Sequence, residues 1–521
     1  MQVAFFHTSS ADNMPPGQRY VILYDGEGEI SLYGEIQNEQ QTAGRIQFDL
    51  GGDGTFWFQI ESSATSNHIR NIRIVRIEDE NVDLEAYPFY QTFLDKLAPF
   101  QVLRVMDWMH TNNSPVEHWE DRRQLGYYTY GGERGVPLEV IVQLANQTRK
   151  DIWVCVPHAA DDNYIYQMAS LFATTLDPSI TIFLEYSNEV WNGIFEQSEY
   201  NESNNPLLLS PGAAYAQKAR RVFSIWHEVF AGNPCRVKRV LGLQAGNNYL
   251  NEMIINHLGQ NEWDFGSPSH YFNLDHSELG EPRLDLLGGN ASVDDIMLNA
   301  WNTFLRNKDY LKEDFRNVQL MGKDVITYEG GQHFVGNVFG IPYDYQQAMW
   351  DAQHSQAMYD MYQSVLDSIA DWGCILATNY SLVGPQENIY GSWGMLDDID
   401  VTGPYLFTAP KYQVHLDNAP NTVCIAEARN RWRQCTPYAL QLQAWPDSEP
   451  PLIEEAPFYV YPNPGSDHIW VKGNEDKEVQ FFDYSGRILF STTQQWISTD
   501  ELPQGIYLIK SGEHTVKWIK I

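Results

Sequence analysis

The chain has 521 residues, 43% apolar and 20% charged, with 34 Lys and Arg against 68 Asp and Glu for a net charge of −34. That length exceeds one hydrophobic core, which stops growing at roughly 250–300 residues, so several domains are expected. The acidity argues against nucleic acid and anionic lipid as partners, and the lack of any run of about 18 apolar residues argues against a transmembrane segment.

Residues 1–68 alternate short β-like runs (YVILYD, EISLYGEI, RIQFDL, TFWFQI) with Gly, Asn and Asp turns, the pattern of a small β-sandwich. The opening MQVAFFHTSS has no basic stretch followed by an apolar one. A secretory leader is therefore either removed from this numbering or absent, and the C-terminal segment argues for removal. The turn LGGDGT reads as a hairpin rather than a calcium loop, because its other ligands are missing.

From residue 69 the rhythm becomes strand then helix, repeated to about residue 400. The strands are expected at 71–77, 102–108, 151–158, 181–189, 239–245, 264–272, 324–331 and 374–382, with helical stretches such as PLEVIVQLANQ and AAYAQKARRVFSIWHEVF between them, although 71–77 could equally finish the sandwich. Ser210 as N-cap, Pro211 in the first turn and Gly232 past the end bound one helix. Eight such units imply an α/β fold, a (β/α)8 TIM barrel over 69–400 flanked by the β-sandwich.

Residues 401–445 read as β-rich and irregular, joining the N-terminal β-domain. A Pro- and Glu-rich linker follows at 446–456, and short strands without helix pattern fill a C-terminal sandwich at 457–521. The five Cys form no CxxC pairs or Cys/His clusters, so no metal site is expected. Cys424 and Cys435 are candidates for a local disulfide, while Cys155 and Cys374 read as buried small hydrophobes.

In a TIM barrel the working groups close the C-terminal ends of strands. LEYSNEVWN puts Asn188, Glu189 and Trp191 where the fourth strand ends, and VITYEGG puts Glu329 where the seventh ends, so both carboxylates face one cleft. Two facing carboxylates suit glycosidic cleavage, one protonating the leaving oxygen and the other attacking the anomeric carbon. Asp107, Trp108, His110 and Asn379 also end strands and are candidates for lining the cleft, walled by loops 109–136 and 273–292.

SNEVWN and YEGG resemble the Asn-Glu and Glu positions of glycoside hydrolase clan A, which includes the family 5 endoglucanases and mannanases. The resemblance covers roughly residues 70–400. It implies Glu189 as acid/base, Glu329 as nucleophile, Arg104 of LRVMDW as the nucleophile's partner, His158 of VPH, His270 and Tyr271 of SHYF, and Trp393 of YGSWG as a sugar platform. His270 and Tyr271 are adjacent here rather than one residue apart, which leaves open which of them touches Glu329. Charge logic expects Arg104 to lower the pKa of Glu329 and the proton to stay on Glu189, with Asn188 donating to the sugar 2-hydroxyl.

At the C-terminus, YPNPGSD, FFDYSGRIL, LPQGIYLIK and KWIKI resemble the sorting domain of type IX secretion substrates in Bacteroidetes over nearly all of 457–521. The whole reading is a secreted retaining enzyme acting on a β-linked polysaccharide of the glucan, mannan or xylan type. It needs no cofactor, and its partners are the polysaccharide and the type IX secretion machinery. Exo-acting β-glycosidase and non-catalytic glycan-binding surface protein stand as alternatives.

Overall fold

The computed structural model describes residues 2–5, 18–51, 56–127, 129–419 and 432, and within the C-terminal part 459–461, 468–472, 478–483, 487–494, 496–503, 505–511 and 514–520. The chain divides into two units, Met1–Ala439 and Leu440–Ile521.

The first unit begins with β1 (Gln2–Phe5), β2 (Arg19–Asp25), β3 (Gly28–Gly34), β4 (Ile36–Thr42), β5 (Arg45–Leu50), β6 (Phe56–Ser63) and β7 (Arg70–Arg76). They form two antiparallel sheets, ordered β1-β6-β3 and β4-β5-β2-β7. Ile22, Ile30, Ile46, Phe48, Phe56 and Phe58 make a buried core, and Ile72 and Ile74 of β7 pack against it. Of the two places open to residues 71–77, first strand of the barrel or last of the sandwich, the structure takes the second: Arg70–Arg76 complete this sandwich, with Val75 opposite Val21 and Ile74 opposite Ile22. The physical reason lies in the run itself: Ile72 and Ile74 alternate with Asn71 and Arg73, a pattern for a sheet with one wet face, whereas barrel strands are apolar on both.

The barrel strands follow as β8 (Val102–Arg104), β9 (Asp151–Val156), β10 (Ile182–Tyr186), β11 (Val237–Leu243), β12 (Phe265–Pro268), β13 (His270–Asn273), β14 (Asp324–Thr327), β15 (Gly330–His333) and β16 (Cys374–Ala377). Seven of them form one parallel sheet in the order β16-β14-β12-β11-β10-β9-β8. In β9, β10 and β11 every residue is buried, as expected of strands covered on both faces. β13 and β15 pair in parallel with each other, His270 opposite Gly330, as a short extension beyond β12 and β14.

Helices cover the outside, among them Leu138–Thr148, Asp162–Thr175, Pro211–Val229, Val293–Leu320 and Gln356–Asp371. The helix starting at Pro211 does follow Ser210, although the serine side chain makes no capping bond. Ser292 and Asp295 form a reciprocal capping box at the longest helix. Trp432 closes the end of the barrel opposite the strand C-termini, its indole N–H donating to Asp151 Oδ2 at 3.0 Å and its ring edge-on to Phe183.

The expected β-rich character of 401–445 gives way to helix where the segment is described: Tyr405–Thr408 and Pro410–Asp417. Pro410 sits at the first helical position, which its fixed φ suits, and Tyr412 and Val414 are buried beneath. The linker 446–456 and the Cys424–Cys435 pairing lie outside the described residues, as does most of LGGDGT. Cys155 is buried and free, Cys374 is free and half-buried, and Cys235 is disulfide-bonded, which the sequence reading did not anticipate. No described helix is long and apolar enough to cross a membrane, and no group of metal-ligating side chains occurs among the described residues.

The second unit is all β where described, with antiparallel sheets formed by Tyr459–Tyr461, His468–Lys472 and Trp496–Ser498, and by Val479–Asp483, Ile488–Thr492, Gly505–Ser511 and His514–Lys520. Ile469, Val471, Val479, Phe481, Ile497, Tyr507 and Ile509 form its core.

Candidate active site

Beyond β10 the chain turns sharply. Ser187 (φ 56°) and Glu189 (φ 42°) both lie in the left-handed region, a rare conformation for side chains that is concentrated at functional sites. Ser187, Asn188 and Val190 are buried while Glu189 is partly exposed, so the turn delivers a single carboxylate to the mouth of the barrel. Gln197 fixes this turn, donating through Nε2 to the Asn188 carbonyl at 2.8 Å and to Asn112 Oδ1 at 2.6 Å. Glu189 Oε1 accepts from the Tyr328 hydroxyl at 2.6 Å, and its Oε2 accepts from Asn192 Nδ2 at 2.9 Å.

Glu329 follows β14 and is buried. Arg104, at the end of β8, donates from Nη1 to Glu329 Oε1 at 2.6 Å, and the Tyr271 hydroxyl donates to Oε2 at 2.9 Å. The same guanidinium donates from Nη2 to Glu185 Oε2 at 2.9 Å and to Asn188 Oδ1 at 2.8 Å. Arg104 thus holds three groups from the ends of two strands, β10 and β14, through the forked donor geometry for which arginine is suited.

The ionisation expected of Glu329 is corrected by this arrangement. Burial pushes its carboxyl up to about 7, against the pull of Arg104 and the Tyr271 hydrogen bond, and the Glu189 charge pushes the same way as burial. Arg104 does not win because its charge is shared: Glu185 lies 2% exposed inside the barrel and takes one side of the fork, with Trp153 Nε1 also donating to its Oε2 at 2.9 Å.

The adjacent pair at β13 divides clearly. Tyr271 touches Glu329. His270 donates from its backbone N–H to the Glu329 carbonyl at 2.9 Å, while its ring Nδ1 meets Thr327 Oγ1 at 2.8 Å. Burial lowers the His270 pKa to about 3, so the ring is a neutral wedge beneath Gly330. The His158 ring meets Tyr200 edge-on at 5.1 Å, and burial lowers its pKa. Trp191 stands edge-on to Tyr215 and Tyr328 and belongs to the wall of the barrel. Trp393 is partly exposed, with its ring 5.8 Å from Tyr271, 5.0 Å from His333 and 5.7 Å from Tyr380.

A cavity of about 400 Å³ opens at this point, lined by Arg104, Asp107, Trp108, Glu329, Asn379 and Tyr380, and running down between the edge strands β8 and β16. Trp108 also stacks on Phe89 and Phe93. Four residues that contact the site were not found from sequence: Glu185, Tyr328, Asn192 and Asn112. Glu185 carried a signal, as a carboxylate inside the otherwise apolar strand IFLEY; for the others only the fold supplies the neighbour.

The described framework is that of a parallel curled α/β barrel carrying paired carboxylates at its mouth. Its C-terminal residues 459–520 match the model of the secretion system C-terminal sorting domain, the module that directs a chain to export by type IX secretion, to the cell surface or beyond. No curated protein matches the chain. Among solved structures it is similar to a modular endo-β-1,4-mannanase from Cellulomonas fimi (12% identity over 85% of this chain and 98% of that one, TM-score 0.34). It is also similar to a GH51 arabinofuranosidase from Xanthomonas axonopodis pv. citri (10% identity, 82% and 86% covered, TM-score 0.37). A third is a Bacteroidetes-affiliated GH5 cellulase (10% identity, 66% and 87% covered, TM-score 0.31). Likeness at this level says nothing of the chemistry, which rests on the side chains.

Proposed function

We propose that the chain is a secreted retaining glycoside hydrolase acting on a β-linked polysaccharide. The observation that carries this reading is the pair of carboxylates at one barrel mouth, Glu329 held by Arg104 and Tyr271 and Glu189 held by Tyr328 and Asn192. Each is oriented through both oxygens, and the two carboxyls are close enough to interact electrostatically.

In the first step Glu189 gives its proton to the glycosidic oxygen as the C1–O bond breaks, and a Glu329 oxygen forms the new bond to C1. In the second, Glu189 takes a proton from water, the resulting oxygen attacks C1, and Glu329 leaves as carboxylate. Arg104 and Tyr271 hold Glu329 in line and receive its charge when it departs. Asn188 uses its Oδ1 on Arg104 and one N–H on Asn112, which leaves its second N–H for the sugar 2-hydroxyl. Trp393, beside Tyr271, offers a ring face to the sugar bound at Glu329.

A panel of β-glucan, mannan and xylan tests this with Glu189→Gln and Glu329→Gln alongside. The wild-type chain is expected to release reducing ends from one of the three, and each variant to lose at least about 100-fold in turnover, the scale of an acid/base or nucleophile contribution. Binding without release of reducing ends would leave a glycan-binding protein instead.

A further inference from the structure

Tyr328 stands between the two carboxylates. It immediately precedes Glu329 in the chain, yet its hydroxyl reaches across to Glu189 Oε1 at 2.6 Å. Its ring is 2% exposed, 5.1 Å from the Arg104 guanidinium carbon and edge-on to Trp191 at 6.3 Å, so the hydroxyl has one place to point. Ser269 is hydrogen-bonded to the same hydroxyl. A serine donating from behind leaves the phenol proton for Glu189, and burial with two nearby carboxylates keeps the phenol protonated.

We infer that Tyr328 is a positioning residue for proton transfer at Glu189: its hydroxyl engages Oε1, so the exchanged proton sits on Oε2, whose other lone pair accepts from Asn192 Nδ2, and it stabilises the carboxylate that forms as that proton leaves. This rests on the glycosidase reading above and adds to it a residue that touches neither sugar nor water. The physical basis is that a hydrogen bond to a carboxylate is stronger than one to the neutral acid. The Tyr328 bond therefore tightens during the first step and is held by the fold before the reaction begins.

The test is the dependence of kcat/KM on the leaving group. Substrates are 2,4-dinitrophenyl, 4-nitrophenyl and methyl β-cellobioside, or the mannobiose or xylobiose equivalents if the polysaccharide panel selects them. Activated phenols depart with little protonation, whereas methanol needs a full acid. Tyr328→Phe is expected to lose about 10- to 100-fold on the methyl glycoside and only a few-fold on the dinitrophenyl one, which steepens the slope. Ser269→Ala, which leaves the ring in place, is expected to move the slope the same way by less, with melting temperatures recorded for both.

An equal loss across all leaving groups would overturn the assignment and leave Tyr328 as packing. The reference is Glu189→Ala, whose slope is expected to be steepest. If Glu189→Ala shows no steepening, the acid/base reading of Glu189 itself falls, and with it the role of Tyr328. If Glu189→Ala steepens and Tyr328→Phe does not, only the Tyr328 assignment falls.

Discussion

Glu329 has to be ionised to attack, and burial, outweighing Arg104, pushes its carboxyl up to about 7. The sign follows directly: kcat/KM is expected to fall as pH drops below about 7, with an acid limb far above that of an ordinary glutamate, measured on an aryl glycoside from pH 4.5 to 9. By linkage the same raised value means that folded stability is lost as pH rises through about 7, since the charged form is the one that burial disfavours. Glu185→Gln keeps an oxygen for Arg104 while removing the competing charge. That variant is expected to move the acid limb down by about one pH unit, because the whole guanidinium charge then acts on Glu329. An unmoved limb would mean that Glu185 only fills the barrel interior.

At the level of elements, the close pairing of β13 with β15 sets the cleft floor. A side-chain carbon on Gly330 would fall inside the buried His270 ring, which is pinned to Thr327. Gly330→Ala is therefore expected to lower stability by about 1–3 kcal/mol, the usual scale of overpacking, and to depress activity by shifting Tyr271. Thermal melting and kcat on one aryl glycoside check both. The same two strands show what was legible in the sequence and what was not. SHYF announced that one of two adjacent residues serves Glu329, but only backbone pairing of His270 with Gly330 decides that the histidine turns inward and the tyrosine outward. Segment 71–77 could be read either as the first barrel strand or as the last strand of the sandwich. Its alternation belonged to a sheet with one wet face, and its pairing with β2 is a contact between distant parts of the chain that local pattern does not encode. Within 401–445 the aromatic and turn residues suggested strands, yet Pro410 opens a helix. The strand ends carrying Glu189 and Glu329 were plain because an apolar run stops abruptly on a carboxylate. Glu185 and Tyr328 lie inside or against such runs, where a polar group reads as an exception to packing.

At the scale of the molecule, a module that is all β where described and has its own core follows the barrel unit in sequence, and its residues 459–520 match a sorting domain that export machinery reads. A chain ending at residue 445 is expected to keep the main melting transition and the turnover of the full chain, while losing export from a type IX-competent cell. Scanning calorimetry and fractionation of medium against cells measure the two effects separately. The net charge of −34 suits such a cargo, since it keeps a large chain soluble and off anionic surfaces.

The account turns on Glu329 as the atom donor to the sugar carbon, and a mechanism-based trap examines that directly. A 2-deoxy-2-fluoro β-glycoside with a dinitrophenyl leaving group, matched to the sugar the enzyme hydrolyses, slows the second step more than the first. Incubation followed by proteolysis and peptide mass analysis is expected to find one fluorosugar, attached to the peptide carrying Glu329, and none in Glu329→Gln. An adduct on another residue, or turnover with an inverted anomer and no adduct, would contradict it.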